Sequence, residues 1–347
     1  MHDSMLADGQ EIENTAYDVM IVDGGGVITS AWAAVKTEPD RTARITGALG
    51  GLITSLLTYS SRLRPGARTI VVWDGEDNRR YRRGMHPWYK HGRGTAIDRE
   101  EVRAAIPIAD ELLRAAGIAT VVLDYHEADD VVATLARKSG GLVLLVSDDK
   151  DYYQLVSDRV HLARRSNGGQ MVTPKQAADI RQPVGWRYLM IKAIMGDTGD
   201  NIKPLRQIGE VKATAIVDAV PHISHIAEHD YDAALEELKR LDPKLIKALV
   251  SAGSQLVCPV PLADPEFAKK YYPNVSEESA SDDDCLGAAL SAVARAYKLV
   301  RMCDSLPVEI PEDQQPLGVD AITSAAVRAG ISTANLHRLI TLSERGE

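Results

Sequence analysis

The chain has 347 residues, 45% of them hydrophobic and 26% charged, with a formal net charge of −9. That length carries one large α/β domain or two modest ones, and no run approaches the ~20 apolar residues of a membrane-spanning helix. The three cysteines, Cys258, Cys285 and Cys303, are far apart and form no CxxC pair, which argues against a disulfide framework or zinc module and points to a reducing cytoplasm.

Taken in chain order, residues 1–16 are polar and acidic, resemble no signal or transit peptide, and read as a disordered tail. Four β-branched runs follow, Tyr17–Val22, Thr69–Trp73, Ala119–Leu123 and Gly141–Val146, with the continuous apolar character of buried parallel strands. Helical patterns separate them at Gly47–Tyr59, at Glu101–Ala116 with its single apolar face ended by Gly117, and at Ala128–Arg137, which starts in acids as a helix N-terminus favours. This alternation predicts an α/β fold: a central, mostly parallel sheet with helices on both faces.

The span 76–98 breaks the pattern, with no apolar period. From Arg79 to Arg103 it brings eight Lys/Arg (Arg79, Arg80, Arg82, Arg83, Lys90, Arg93, Arg99, Arg103) against Asp98, Glu100 and Glu101. A basic stretch of this kind inside an acidic chain is a local anion-binding feature that the global charge conceals. From Gln176 to about Val250 the sequence is helical with Pro and Gly punctuation, and Ala263–Asp284 is a polar, acidic stretch expected to be a solvated loop. The expected organisation is an α/β domain over 17–175 with the basic segment at 76–98, a helical subdomain over 176–310, and a C-terminal helical extension over 311–347.

The strands share one feature. Asp23 follows the first, Asp74 the second, Glu127, Asp129 and Asp130 come just after the third, and Asp148, Asp149 and Asp151 after the fourth. Carboxyl ends of parallel strands open on one edge, so these acids converge. Two carboxylates roughly 5 Å apart repel by ~3 kcal/mol at an effective dielectric of about 20, so protons or cations must relieve the cluster. Oxygen-only donors select hard ions, and the surplus of acids suits two Mg²⁺, with Mn²⁺ as a substitute, in the arrangement that clamps both oxygens of a phosphodiester under attack. A lone strand-end Asp is commonly only a turn former or helix cap; the set of four strands is what points to metal.

At these residues the sequence resembles the flap endonuclease/5′-3′ exonuclease family, which includes phage 5′-nucleases and the N-terminal domain of bacterial DNA polymerase I. The matching pieces are Ile21-Val22-Asp23-Gly24, Trp73-Asp74-Gly75, Tyr81-Arg82 with Trp88 to Arg93, Glu127-Ala128-Asp129-Asp130, Ser147 to Asp151, and Gly196 to Ile202. The likeness returns at Tyr297–Arg301, resembling that family's closing strand segment. It implies metal ligands at Asp23, Asp74, Glu127, Asp129, Asp130, Asp149, Asp151, Asp197 and Asp200, and leaves out Asp148, which fills a variable position. It also implies a basic arch in which Lys90 and Arg93 act as catalytic cations, Arg82 holds a phosphate and Tyr89 stacks on a base. Beyond Ile202 it implies a helix-hairpin-helix motif that grips duplex DNA through Gly209 and Lys212, with K⁺ bound there. Gln207 stands where a first glycine is usual, at a position expected to need φ > 0.

The resulting expectation is a stand-alone, monomeric, Mg-dependent structure-specific 5′-nuclease with no polymerase domain. Its substrates would be DNA with a free 5′ end, flap or nick, and RNA–DNA hybrids, in replication, repair or primer removal. Its place would be the cytoplasm, or the host cytoplasm for a phage protein, with no membrane association. Two alternatives stay open: an RNA-cleaving nuclease of related fold, and a non-catalytic branched-DNA binding protein on the same scaffold. A nucleotide-binding role for Gly24-Gly25-Gly26 lacks the GxGxxG and Walker A spacing that would support it.

Overall fold

The computed structural model describes residues 15–91, 97–166, 169–203, 205–220, 236–257, 281–312 and 314–345. The tail ahead of residue 15 and the polar stretch up to residue 280 lie outside them. In chain order the elements are β1 (Tyr17–Asp23), α1 (Gly24–Val35), α2 (Arg41–Ser60), β2 (Leu63–Asp74), α3 (Arg80–Met85), α4 (Ile97–Ala115), β3 (Ala119–Leu123), α5 (Ala128–Lys138), β4 (Val143–Val146), a 3-10 turn at Lys150–Leu155, β5 (Val160–Arg164) and β6 (Gln170–Val172). They continue as α6 (Pro174–Asp179), α7 (Gly185–Met195), a 3-10 turn at Thr198–Asp200, α8 (Glu210–Ala219), α9 (Pro243–Val257), α10 (Asp282–Val300), α11 (Val319–Arg328) and α12 (Thr333–Glu344).

The chain divides into two compact units: residues 1–81, 94–182 and 302–347 form the first, residues 82–93 and 183–301 the second. In the first, six strands lie in the order β3-β2-β1-β4-β5-β6, all parallel except β6, which runs antiparallel to β5. Its core is built from Met20 and Val22 of β1, Ile28 of α1, Leu49, Leu52 and Leu56 of α2, Leu112 of α4 and Leu144 of β4. Removing such side chains from water is the main driving force for folding. Residues from α11 and α12, among them Ile322 and Leu339, complete the same core. The final helices are therefore integral to this unit.

Close approach explains the glycines after β1. A Cβ on Gly24 would sit 2.3 Å from the Trp73 ring, and one on Gly26 would sit 2.4 Å from the Asp23 carboxylate. The triplet lets α1 begin directly beneath β1 and Asp23, so packing accounts for it. At Gly117, φ is +74° and a Cβ would meet the Gln314 carbonyl oxygen at 2.8 Å, so the turn after α4 and the returning C-terminal segment both require glycine there.

The second unit is helical. Leu189, Met190 and Ile194 of α7, Ile216 of α8, Leu249 of α9 and Leu286, Leu290 and Val293 of α10 pack together, and Tyr89 joins them. Tyr297–Val300, expected as part of a closing strand, instead forms the last turn of α10, because its apolar residues continue that helix's buried face. Asp282, Asp283 and Asp284 are likewise helical: Ser281 and Asp284 form a reciprocal capping box that starts α10.

Candidate metal centre

Strand register brings the first acids level. Asp23 pairs with Val72, two residues before Asp74; Asp74 pairs with Leu123; Val22 pairs with Val146, so Ser147 stands beside Asp23. Each acid is then fixed by backbone. The Asp23 carboxylate accepts from the Gly26 amide at 2.9 Å as the cap of α1, Asp74 accepts from the Ala128 amide at 2.9 Å at the head of α5, and Asp149 accepts from the Asp151 amide at 2.9 Å. Glu127, only 6% exposed, holds the cap position of α5 without a side-chain cap bond. These bonds leave carboxylate lone pairs in fixed directions at the carboxyl edge of the sheet.

Two further residues tie the group together, and sequence reasoning had not singled them out. The Ser147 hydroxyl donates to Asp23 at 2.9 Å and accepts from the Asp149 amide at 3.1 Å, joining the ends of β1 and β4. Tyr152 is 1% exposed, and its hydroxyl has no hydrogen-bond partner among the described residues. Burial, and then the charges of Asp23, Asp129, Asp149 and Asp74, push this phenol well above its usual range. These four carboxylates therefore all act on one buried phenol. The effect on Asp23 agrees: burial, opposed by the Gly26 and Ser147 hydrogen bonds and reinforced by Asp74 and Asp149, raises its carboxyl to about 6. An all-oxygen set held in mutual repulsion fits a hard divalent cation, which would restore the ionised form.

Two acids of the motifs have other work. Asp130 is 0% exposed and accepts from the Cys303 amide at 2.7 Å, while Thr134 donates to the Cys303 carbonyl and accepts from the Leu306 amide, each at 3.2 Å. Asp130 thus anchors the returning chain through Oδ1, and its role as a metal ligand rests on the resemblance alone. Asp148, left out on sequence grounds, accepts from the Ser30 hydroxyl and the Ser166 amide, each at 2.7 Å. Burial opposes its ionisation, but these hydrogen bonds outweigh it and hold the carboxyl below its usual range.

Asp197 and Asp200 belong to the second unit and form a constellation of their own there. Asp197 caps the 3-10 turn through the Gly199 and Asp200 amides and lies 3.0 Å from the Lys192 ammonium. Burial opposes its charge, but Lys192 and those amides outweigh burial and bring its carboxyl below the usual range. The Lys90 ammonium lies 3.8 Å from Asp200 and 5.1 Å from the Tyr89 ring centroid, and Lys90 itself has φ +50°.

Tyr89 is 2% exposed and donates its hydroxyl to Asp200 at 3.3 Å, so its ring has no face to offer a base. Arg82 is 3% exposed and donates to the Leu299 and Arg301 carbonyls, so its guanidinium is engaged inside the unit rather than on a phosphate. Both side chains are anchors of the basic segment, contrary to the DNA-contact roles expected of them. Arg93 lies outside the described residues. Further on, Gly209 caps α8, Lys212 donates to the Gln207 carbonyl at 3.1 Å, and Gln207 has φ +61°, the left-handed conformation its position suggested.

A parallel sheet whose strand ends gather oxygen-only carboxylates defines a class of α/β proteins built to hold divalent cations. Residues 18–182 match the family described as 5′-3′ exonuclease, N-terminal resolvase-like domain. Over those residues, just under half of the chain, it is similar to that 5′-nuclease family. It is 29% identical over 204 residues to Flap endonuclease Xni of Shewanella sp. (strain ANA-3), covering 57% of this chain and 74% of the relative. It is 28% identical over 270 residues to the thermostable DNA polymerase I of Thermus aquaticus, covering 74% of this chain and 30% of the polymerase. The chain therefore spans less than a third of the DNA polymerase I relatives it matches. Its fold is similar to the bacteriophage T5 flap endonuclease in complex with DNA and metal ions, with a TM-score of 0.55 at 20% identity over 94% of this chain and 99% of that one. It is also similar to the catalytic core of Rad2 in complex with DNA substrate, with a TM-score of 0.55 at 14% identity over 95% and 93%. No helix among the described residues is long and apolar enough to cross a membrane.

Proposed function

We propose that this chain is a structure-specific 5′-nuclease, a 5′-3′ exonuclease and flap endonuclease that hydrolyses phosphodiester bonds of DNA carrying a free 5′ end. The observation that carries this reading is the strand register that brings Asp23, Asp74 and Ser147 to one edge of the sheet, with Ser147 joining Asp23 to the Asp149 amide. Concentrated negative charge repels a phosphate backbone, so a protein that only bound DNA would gain nothing from it. Asp23, Asp74, Glu127, Asp129, Asp149 and Asp151 are the side chains that would hold Mg²⁺. The same role for Asp197 and Asp200 rests on the sequence resemblance, as does phosphate neutralisation by Lys90 and Arg93. When bound, a pair of such ions lowers the pKa of a water and screens the attacked and leaving oxygens. The protein's own contribution is orientation. Ser147 locks the ends of β1 and β4 together, and helix-head amides aim the Asp23 and Asp74 carboxylates.

A potassium site beside Gln207, monomeric action, cleavage of RNA–DNA hybrids and a cytoplasmic setting complete the proposal. The test incubates a 5′-labelled flap and a matched nicked duplex with and without Mg²⁺. Metal-dependent release of short 5′ products is expected, and Asp149→Asn should reduce the rate by on the order of 10²–10³ while binding persists. Intact flap binding without cleavage would make the chain a branched-DNA binder, and unchanged turnover of Asp149→Asn would remove that residue from the metal set.

A further inference from the structure

The burial of Tyr89 leaves the stacking role without an occupant, and the first unit offers a different one. The loops after β2 and β3 are stitched together: the Glu76 amide donates to the Asp124 carboxylate at 2.8 Å and the Tyr125 amide to the Glu76 carbonyl at 2.9 Å. Tyr81 joins them through its amide, which donates to the Tyr125 carbonyl at 3.3 Å. On this base stand three rings and a cation. Tyr81 stacks on His126 with centroids 5.4 Å apart and planes at 29°, and the Arg80 guanidinium lies 4.7 Å above the Tyr125 ring. Tyr81 is 45% exposed and Tyr125 47%. Each ring is thus backed on one side and about half open to solvent.

Tyr125 also has φ +70°. A bulky residue in the left-handed region is a costly outlier, normally left to glycine or asparagine. An aromatic ring left about half open at such a position recovers only part of that strain from burial and from the Arg80 contact, so its use lies in what it presents. Its place in the chain says where: His126 immediately precedes Glu127, and Ala128, one residue on, is the amide that aims Asp74.

We propose that Tyr125 and Tyr81, with Arg80, form a stacking platform for unpaired bases of a single-stranded 5′ arm beside the carboxylate edge. The flat ring faces take bases of any identity, and the guanidinium, set beside them, meets the connecting phosphate. This rests on the 5′-nuclease reading and adds to it the part of the substrate that is recognised.

The experiment needs no chemistry. Duplexes with a 5′ overhang carrying 2-aminopurine, and matched duplexes with an abasic overhang, are titrated with the full chain in EDTA. The native protein should quench the fluorophore and bind the base-bearing overhang more tightly than the abasic one. Tyr125→Gly combined with Tyr81→Ala should lower affinity for the base-bearing overhang roughly tenfold and erase the difference between the two arms. Glycine accepts the left-handed backbone, so a melting temperature for Tyr125→Gly no lower than that of the native protein separates ring loss from misfolding. Equal affinity of native protein for both overhangs, or a variant that keeps the preference, overturns the platform. Absence of cleavage by the native protein in Mg²⁺, with base preference intact, would instead overturn the nuclease reading and leave the platform standing.

Discussion

Aspartates are charged in opposite ways in the two units. Around Asp23, burial and neighbouring carboxylates push the carboxyl up to about 6, and neither of the hydrogen bonds that oppose this shift, from Gly26 and Ser147, comes from a cation. Around Asp197, Lys192 and two amides outweigh burial and hold the carboxyl low. The first arrangement is unfinished and asks for a counter-ion from outside; the second is finished by the chain itself. Carboxylates in a motif are therefore not electrostatically equivalent.

Three perturbations test this contrast. The largest stability effect is expected in the metal-free protein as pH changes. Asp23 has a folded-state pKa above its unfolded value, so its contribution is fully present below about pH 3.8 and is lost as pH rises through about 6. That term amounts to of order 2–3 kcal/mol. Asp197, with a depressed pKa, contributes above its usual 3.8 and loses that contribution as pH falls. Urea melts in EDTA should show Asp23→Asn flattening the loss of stability between pH 4 and 7; an unchanged profile would remove the strain from Asp23. Lys192→Met should then cost about 2 kcal/mol by the same melts, below the figure for a wholly buried pair because the Asp197 side chain keeps 24% exposure. It should also bring the Asp197 titration, followed by carboxylate NMR, up toward or above the usual value. The smallest effect is a gain: Gln207→Gly should stabilise by about 1 kcal/mol by releasing the left-handed backbone at φ +61°. No gain would mean that the Gln207 side chain holds the turn by contacts of its own.

The sheet was legible in the sequence where burial is continuous. β1 and β3 fall where the apolar runs place them, and β2 begins six residues before its run with Leu63–Arg68, a mostly exposed extension that carries no apolar run. β5 and β6 were missed: His161 and Arg164 interrupt the apolar run of β5, and β6 has three residues. Strand-end position marked Asp23, Asp74, Asp129 and Asp149 among other acids, and the charges of these four act on the buried Tyr152 phenol. Nothing local distinguishes Asp130 from Asp129, so its bond to the Cys303 amide, 173 residues on, was not legible. Arg82 and Tyr89 were misread for a related reason. A single anchor within a basic segment leaves no periodic trace, so burial by distant helices is invisible there. Tyr152 and Ser147 could have been found as the polar members of Ser147–Tyr152 that the carboxylate pattern does not use.

The bond from Asp130 to Cys303 also sets a timetable. The first unit is assembled from three stretches of chain, and its last stretch begins at Met302. A ribosome emits the strands and all the sheet-edge acids long before Cys303 and Leu306 arrive to meet Asp130 and Thr134. During that interval α5, which carries Asp129 at its head, lacks its support from behind. A growing chain thus holds every acid of the sheet-edge centre while the support behind them waits for Cys303, 173 residues beyond Asp130.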